Sequence, residues 1–128
     1  MPIQELREDQ ASWRSQLLRG TAEMMVLALL DDGPNYGVGL IELSGRDGRA
    51  GLVEGTIYPL LHRLEKEGKV VGQWVVSAPV VRPRKMYKLT RDGRTTLRMM
   101  KREWFEFSSS VARLIDHRHS ANDVRSAR

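Results

Sequence analysis

The stretch Leu52–Gly68 reads LVEGTIYPLLHRLEKEG and decides how the rest of this chain is interpreted. Ile57, Leu61 and Leu64 recur at spacings of four and three, which predicts one apolar stripe on a helix that ends at Gly68. The side chains pointing away from the stripe, or lying at its edges, are Thr56, Tyr58, Pro59, His62, Arg63 and Lys66. Such an outer face suits the major groove of DNA, although the same pattern is also typical of an ordinary amphipathic surface helix.

The positive charge of the chain is concentrated in one segment. The 128 residues carry a net charge of +5, yet Arg82–Arg102 alone holds nine cations and one anion, Asp92, for a net charge of +8. The remainder of the chain is therefore at −3. A basic block in an otherwise slightly acidic chain predicts a polyanionic partner, because counterion release from phosphates drives nucleic-acid binding. A solvated basic helix face is the alternative interpretation.

Composition limits the classes of protein to consider. The absence of cysteine excludes disulfides, thiolate metal sites and cysteine nucleophiles, and favours a reducing cytoplasm. The longest apolar run, Met24–Leu30, is too short to span a bilayer, and the N-terminus lacks the apolar centre of a signal peptide. The only histidines are His62, His117 and His119. His117 could pair with Asp116 or His119, but no third metal ligand lies at a suitable spacing from either pair. We therefore expect a single-domain cytoplasmic protein that is not an enzyme and needs neither a cofactor nor a metal.

Two helices are predicted ahead of the opening stretch. Residues 1–14 have a sparse apolar pattern, which indicates an N-terminal arm or a short helix, whereas Ser15–Leu30 has a broad apolar face. Asp31–Pro34 contains the glycine and proline that end this helix. Asn35 is the predicted N-cap of a second short helix, Tyr36 to about Leu43.

A basic hairpin is predicted to follow the opening stretch. Val70–Val76 is rich in β-branched residues, and a second strand is expected from about Lys85 to Leu89. The turn between the two strands is expected to carry Arg82, Arg84 and Lys85. A basic hairpin after a helix–loop–helix pair is the arrangement of a winged helix-turn-helix. In that fold the third helix enters the major groove, and the hairpin contacts the adjacent backbone or minor groove. The predicted fold is thus mainly α with a small β-hairpin.

A heptad seam runs along the last predicted helix, for which Thr90 is the expected N-cap. The apolar residues of the seam, at alternating spacings of three and four, are Leu97, Met100, Trp104, Phe107, Val111 and Leu114. We expect a second copy of the chain to cover this seam, and packing back on Ser15–Leu30 is the alternative. The predicted organisation is an arm or short helix (1–14), a winged helix-turn-helix DNA-binding domain (15–90), a dimerisation helix (91–119) and a flexible tail (120–128).

The chain resembles the PadR family of bacterial transcriptional regulators over roughly residues 17–104. The matching stretches are Arg19-Gly20 ahead of MVLALL at 25–30, GPNYG at 33–37, EGTIYPLL at 54–61, RLEKEG at 63–68 and RPRKMYKLTRDG at 82–93. The single C-terminal helix resembles the shorter branch of the family, in which that helix mediates dimerisation. Residues 1–14 are longer than the corresponding segment of the short members, and they are a candidate addition to the dimer interface.

The resemblance implies a homodimeric regulator, usually a repressor, which binds a palindromic operator with its recognition helices in successive major grooves. The expected DNA-contacting residues are Tyr36, Thr56, Tyr58, His62, Arg63, Arg82, Arg84 and Lys85. Arg63 is suited to reading guanine or to holding a phosphate, and Tyr58 has a core alternative because it borders the apolar stripe. Members of the family often respond to a small molecule, so Trp104 is a candidate effector site, with simple filling of the dimer core as the alternative. A winged-helix module that binds protein instead of DNA is the competing function.

Overall fold

The computed structural model describes residues 2–46, 51–76 and 83–116. The elements in chain order are α1 (Ile3–Asp31), β1 (Asn35–Tyr36), α2 (Gly37–Ser44), α3 (Glu54–Lys66), β2 (Val70–Val76), β3 (Pro83–Leu89) and α4 (Arg91–Ile115). Four helices with one small antiparallel sheet confirm the predicted fold class. The chain divides into two compact units, Met1–Leu97 and Arg98–Arg128.

Helix α1 is continuous, so residues 3–14 are its first half and not a separate arm or short helix. The segment from Ile3 to Arg19 contains neither glycine nor proline, and Gln10, which interrupts the apolar stripe, is itself a good helix former. The buried residues lie only in the second half of α1: Ala22, Val26, Leu27 and Leu30. The first buried residue of the helix is thus Ala22, seven positions after the predicted boundary at residue 15.

The segment between α1 and α2 is a short strand, which the sequence pattern did not predict. Asn35 and Tyr36 form β1, and the N-cap of α2 is Tyr36 in place of Asn35. The side-chain Oδ1 of Asn35 accepts a hydrogen bond from the backbone N–H of Tyr36 at 2.8 Å and makes no cap bond to the helix. Strand β1 pairs antiparallel with β3, through Asn35 with Tyr87 and Tyr36 with Met86, and the strand order is β1-β3-β2.

The core of the first unit forms around the predicted stripe of α3. Ile57, Leu61 and Leu64 are fully buried, which confirms the stripe, and Leu27 of α1 and Leu40 of α2 are fully buried as well. Complete burial of one such side chain contributes about 1.5–3 kcal/mol to the free energy of folding. The predicted hairpin is also confirmed, since β2 and β3 pair antiparallel and form what is called the wing below. Strand β3 begins at Pro83, earlier than predicted, so Arg84 and Lys85 lie in the strand, opposite Val75 and Trp74, and not in the turn. The core thereby fixes α3 beside the wing.

The start of α4 is held against the turn between α3 and β2. Thr90 is its N-cap, as predicted, because its Oγ1 accepts a hydrogen bond from the Gly93 N–H at 3.0 Å. A Cβ at Gly93 would overlap the carbonyl oxygen of Lys69, so glycine permits this close approach. Leu97 is only 2% exposed and belongs to the core of the first unit. It is therefore already buried in a single chain, unlike the rest of the predicted seam.

The described part of the second unit is the remainder of α4, residues 98–115, together with Asp116. Its exposed large apolar side chains are Met99, Trp104, Phe105, Phe107, Val111, Leu114 and Ile115. Within the described ranges, no helix is long and apolar enough to cross a membrane.

Candidate nucleic-acid interface

Helix α3 presents the outer face that the sequence predicts. Tyr58, His62 and Arg63 are exposed, and Thr56 is half-buried. The chain enters this helix in a fixed position, because the backbone N–H of Leu52 donates a 2.8 Å hydrogen bond to the buried Oγ of Ser44. The helix ends before Gly68, whose φ of 75° is one that glycine adopts without strain. We call α3 the recognition helix from here on.

Arg84 of the wing is stacked on Tyr36. The guanidinium carbon lies 4.1 Å from the centroid of the Tyr36 ring, which is the geometry of a cation–π contact. The pairing of β1 with β3 accounts for this, since Tyr36 is opposite Met86, two residues beyond Arg84. A stacked guanidinium keeps its N–H donors in one plane, where they suit phosphate oxygens. The unpredicted strand thus aligns two of the predicted contact residues.

Tyr58 of the recognition helix lies against the start of α2. A Cβ at Gly37 would be 2.5 Å from Cε1 of Tyr58, so glycine is needed for the ring to pack there. Tyr58 is nevertheless 44% exposed, so it is not a core residue. Its ring borders a groove of about 460 Å³, the aromatic groove, lined by Tyr36, Gly37, Val38, Tyr58, Trp74, Arg84, Lys85 and Tyr87. Four predicted contact residues therefore come together in one place.

Lys85 is paired with a carboxylate of the recognition helix. Its ammonium donates a 2.7 Å hydrogen bond to Oε1 of Glu65, and Oε2 of Glu65 accepts a 3.1 Å hydrogen bond from the backbone N–H of Gly72. The ammonium also lies 5.7 Å and 5.6 Å from the ring centroids of Trp74 and Tyr87. The sequence predicts Lys85 as a DNA contact, but the structure gives its charge a protein partner.

The pKa values of this cluster follow from the same contacts. The hydrogen bond from Lys85 lowers the pKa of the Glu65 carboxyl below its ordinary value, while partial burial opposes the shift. The same bond raises the pKa of Lys85. Burial raises the pKa of Tyr87, so this phenol stays protonated at neutral pH. Glu65 and Lys85 therefore form a charged pair under ordinary conditions.

Arg63 is also paired with carboxylates. Its Nη1 donates hydrogen bonds to Oε1 of Glu67 at 2.7 Å and to Oε1 of Glu23 at 3.2 Å. Glu67 is one turn further along the chain, and Glu23 belongs to α1. The guanidinium therefore connects the recognition helix to α1, although its side chain remains about half exposed. Sequence reasoning assigned Arg63 to a base or a phosphate, and the structure adds a bridging role within the protein.

Other predicted site residues lie apart from the groove or outside the described ranges. His62 is exposed on the recognition helix, and its proximity contributes to the lowered pKa of Glu65. Arg82, His117 and His119 lie outside the described residues. Trp104, the candidate effector site, lies in the second unit and is partly exposed. In the described ranges, no three histidine or acidic side chains are grouped to hold a metal ion.

Three residues of the groove region were missed by sequence reasoning. These residues are Glu65, Gly72 and Trp74, and the predicted site includes none of them. The signal that was available is Gly72, because a glycine inside a strand often marks the close approach of another group. A Cβ there would lie 2.8 Å from Oε2 of Glu65 and closer still to Cε of Lys85.

Comparison with known proteins gives the family. The model of the transcriptional regulator PadR-like family matches residues 26–99. The crystal structure of a PadR family transcriptional regulator from Eggerthella lenta DSM 2243 is 30% identical, with a TM-score of 0.77 over 88% of this chain and 96% of that one. A PadR-like transcriptional regulator from Bacillus cereus strain ATCC 14579 is 32% identical, with a TM-score of 0.67 over 78% of this chain and 96% of that one. No curated protein sequence matches significantly. The chain thus belongs to the PadR family of transcriptional regulators, and it is a DNA-binding regulator.

Proposed function

We propose that the chain is a cytoplasmic transcriptional repressor that binds a palindromic operator as a homodimer. The observation that carries the DNA-facing part is the aromatic groove, where Tyr36, Tyr58 and Arg84 meet beside the exposed face of the recognition helix. Phenolic hydroxyls and a stacked guanidinium are suitable phosphate ligands, and the helix face beside them offers Thr56 and His62 to base edges. The wing and the recognition helix then contact the same stretch of duplex.

Dimerisation is proposed through the exposed seam of α4. Beyond the buried Leu97 and the half-buried Met100, the heptad continues with the exposed Trp104, Phe107, Val111 and Leu114. Exposed apolar side chains in a continuous row are typical of a helix that is covered by a partner. The first half of α1 also carries exposed apolar side chains, in a stripe that Gln10 interrupts: Ile3, Leu6, Trp13 and Leu17. We assign both sets of side chains to contacts with a second copy of the chain.

Release by a small molecule is proposed at Trp104. Its indole is 39% exposed within the proposed dimer seam, where a planar aromatic ligand would stack on it. Because Trp13 and Trp74 also fluoresce, quenching by planar cations and phenolics is to be compared between the wild-type chain and Trp104→Phe. Quenching that disappears in the variant, together with weakened DNA binding, supports an effector site. Equal quenching in both proteins removes Trp104 from the proposal.

The proposal is tested by selecting a duplex from a random pool with the full chain and measuring binding over a salt series. We expect enrichment of a two-fold symmetric sequence, a stoichiometry of two chains per duplex, and affinity that falls as salt rises. Placing the selected duplex across a promoter should lower transcription of a reporter. Failure to enrich any sequence contradicts specific DNA binding, and one chain per duplex contradicts the dimer.

A further inference from the structure

One carboxylate joins the recognition helix to both strands of the wing. Glu65 of α3 accepts a 2.7 Å hydrogen bond from Lys85 of β3 through one oxygen, and a 3.1 Å hydrogen bond from the Gly72 N–H of β2 through the other. We call these three residues the wing latch. Both side chains of the ion pair are about three-quarters buried, at 28% and 26% exposure, so the pair is better shielded from solvent than an ordinary surface salt bridge.

Two surrounding features indicate that the latch is a specific arrangement. Gly72 interrupts a strand at a cost in strand stability, and a Cβ at this position would lie within 3 Å of both partners of the ion pair, so a larger residue would displace them. The Lys85 ammonium also lies over the rings of Trp74 and Tyr87, which favours its charged form at this position. The ion pair therefore packs closely against the backbone of β2 at Gly72, and aromatic rings surround the lysine ammonium.

The latch has a direct consequence for the groove. Lys85 is the chain neighbour of Arg84, whose guanidinium is stacked on Tyr36. Fixing Lys85 to the recognition helix therefore also fixes the backbone that carries Arg84. A wing that shifted relative to α3 would move Arg84 away from the duplex position that the helix selects.

We propose that Glu65 and Lys85 are positioning residues that set the wing against the recognition helix, and that Lys85 does not contact phosphate. This inference rests on the proposed DNA binding and states how the two binding elements are held in one geometry. For the removal of Glu65, it predicts a change in DNA affinity opposite to the change expected from charge alone. Removing a carboxylate near a polyanion should tighten binding, whereas breaking the latch should weaken it.

The first test compares Glu65→Ala with Glu54→Ala, which removes an exposed carboxylate from the first turn of the same helix. The probes are the duplex selected by the wild-type chain and a duplex of scrambled sequence. We expect Glu65→Ala to weaken binding to the selected duplex about tenfold, because the loss of a hydrogen bond to a charged group has an effect of about this size. Binding to the scrambled duplex should stay unchanged, and Glu54→Ala should bind both probes as tightly as wild type or more tightly.

The second test is a double-mutant cycle with Lys85→Met, which keeps the aliphatic stem of the lysine but removes its charge. Either single substitution already breaks the latch, so the second should have little further effect. The double variant Glu65→Ala with Lys85→Met should therefore lose affinity about tenfold, close to the loss of either single variant and far from the product of the two losses. A phosphate contact would instead lower the slope of log affinity against log salt by about 0.9 for each lysine. Tighter binding by Glu65→Ala, a reduced slope for Lys85→Met, or multiplicative losses would each overturn the latch.

Folding and DNA binding are controlled separately. Far-ultraviolet circular dichroism and thermal unfolding establish whether each variant is folded. If Glu65→Ala is not folded, it is replaced by Glu65→Gln, which has nearly the same shape but exchanges one carboxylate oxygen for an amide nitrogen and removes the charge. Glu65→Gln should lose less affinity than Glu65→Ala yet still bind less tightly than wild type. If the wild-type chain selects no duplex, the proposed function fails; if it selects one and Glu65 variants bind it normally, only the latch fails.

Discussion

Replacing Arg84 by alanine is the most direct perturbation of the proposed interface. Arg84 is exposed on β3, and its guanidinium lies 4.1 Å from the centre of the Tyr36 ring. Unlike Lys85 and Arg63, it has no carboxylate within ion-pair distance in the described part of the chain. Its charge is therefore available to neutralise a phosphate, and its orientation is set by the tyrosine.

The magnitude follows from counting phosphates. Each phosphate contact contributes about 0.9 to the slope of log affinity against log salt, so loss of one contact in each of two copies lowers the slope by about 1.8. A fourfold rise in salt should then reduce the advantage of the wild-type chain over Arg84→Ala about twelvefold. Arg84→Lys is the matched variant, because it keeps the charge and loses the stacked planar group. It should retain the slope while losing about 0.5–1 kcal/mol of binding free energy per copy.

Fluorescence anisotropy titrations of the selected duplex at several salt concentrations measure both quantities. The expected order of affinity is wild type, then Arg84→Lys, then Arg84→Ala, and only the alanine variant should have a smaller slope. An Arg84→Ala slope equal to that of the wild type would show that Arg84 does not contact phosphate. A reduced slope for Arg84→Lys as well would mean that the stacked geometry, and not the charge alone, is required for the contact.

Three further perturbations test the dimer, the core and the ion pair. Phe107→Glu places a charge in the proposed α4 seam, so analytical ultracentrifugation should detect monomers that bind the selected duplex poorly, and a persistent dimer would contradict the seam. Leu61→Ala should lower the free energy of unfolding by about 2–5 kcal/mol in denaturant titrations, whereas the exposed Val53→Ala should change it by less than about 0.5 kcal/mol. The lowered pKa of Glu65 means that its contribution to stability is complete above the ordinary value of 4.5 and is lost as pH falls through the folded-state value. The groups that lower the pKa of Glu65 by their charge are Lys85 and His62. The difference in unfolding free energy between wild type and Glu65→Gln should shrink as pH is lowered below about 4.5. A difference that stays constant with pH would contradict the lowered pKa.

Local patterns in the sequence were sufficient for most of the fold. The stripe of α3 was correct because three apolar residues on one helical face have a single way to become buried together. The Thr90 cap and the end of α3 at Gly68 depend on one or two neighbouring residues, which the sequence displays directly. Strand β1 was missed because two residues contain no alternation, and their pairing with β3 is a contact across fifty positions of the chain. The first half of α1 was underestimated because an exposed helix shows only a weak apolar period.

The site was predictable in its residue types and less so in its pairings. A cation in the sequence shows its charge but not its nearest carboxylate once the chain is folded. Arg63 meets Glu23, forty residues earlier, and Lys85 meets Glu65, twenty residues earlier. Neither spacing has a periodicity that would reveal the contact. The strand glycine at Gly72 was the single local indication that another group approaches the wing.

These pairings change the expected electrostatics of DNA binding. If all nine cations of the Arg82–Arg102 segment contacted phosphates, a dimer would have a salt slope of about −16. Lys85 is instead neutralised by Glu65, and five of the other cations are carried by α4, the helix proposed for dimerisation: Arg91, Arg94, Arg98, Lys101 and Arg102. We therefore expect a measured slope less than half as steep as −16, with affinity relying more on hydroxyl, aromatic and stacked guanidinium contacts than net charge suggests. A slope near −16 would show that the whole segment acts as a general polyanion-binding surface. The aromatic groove would then not be the main DNA contact.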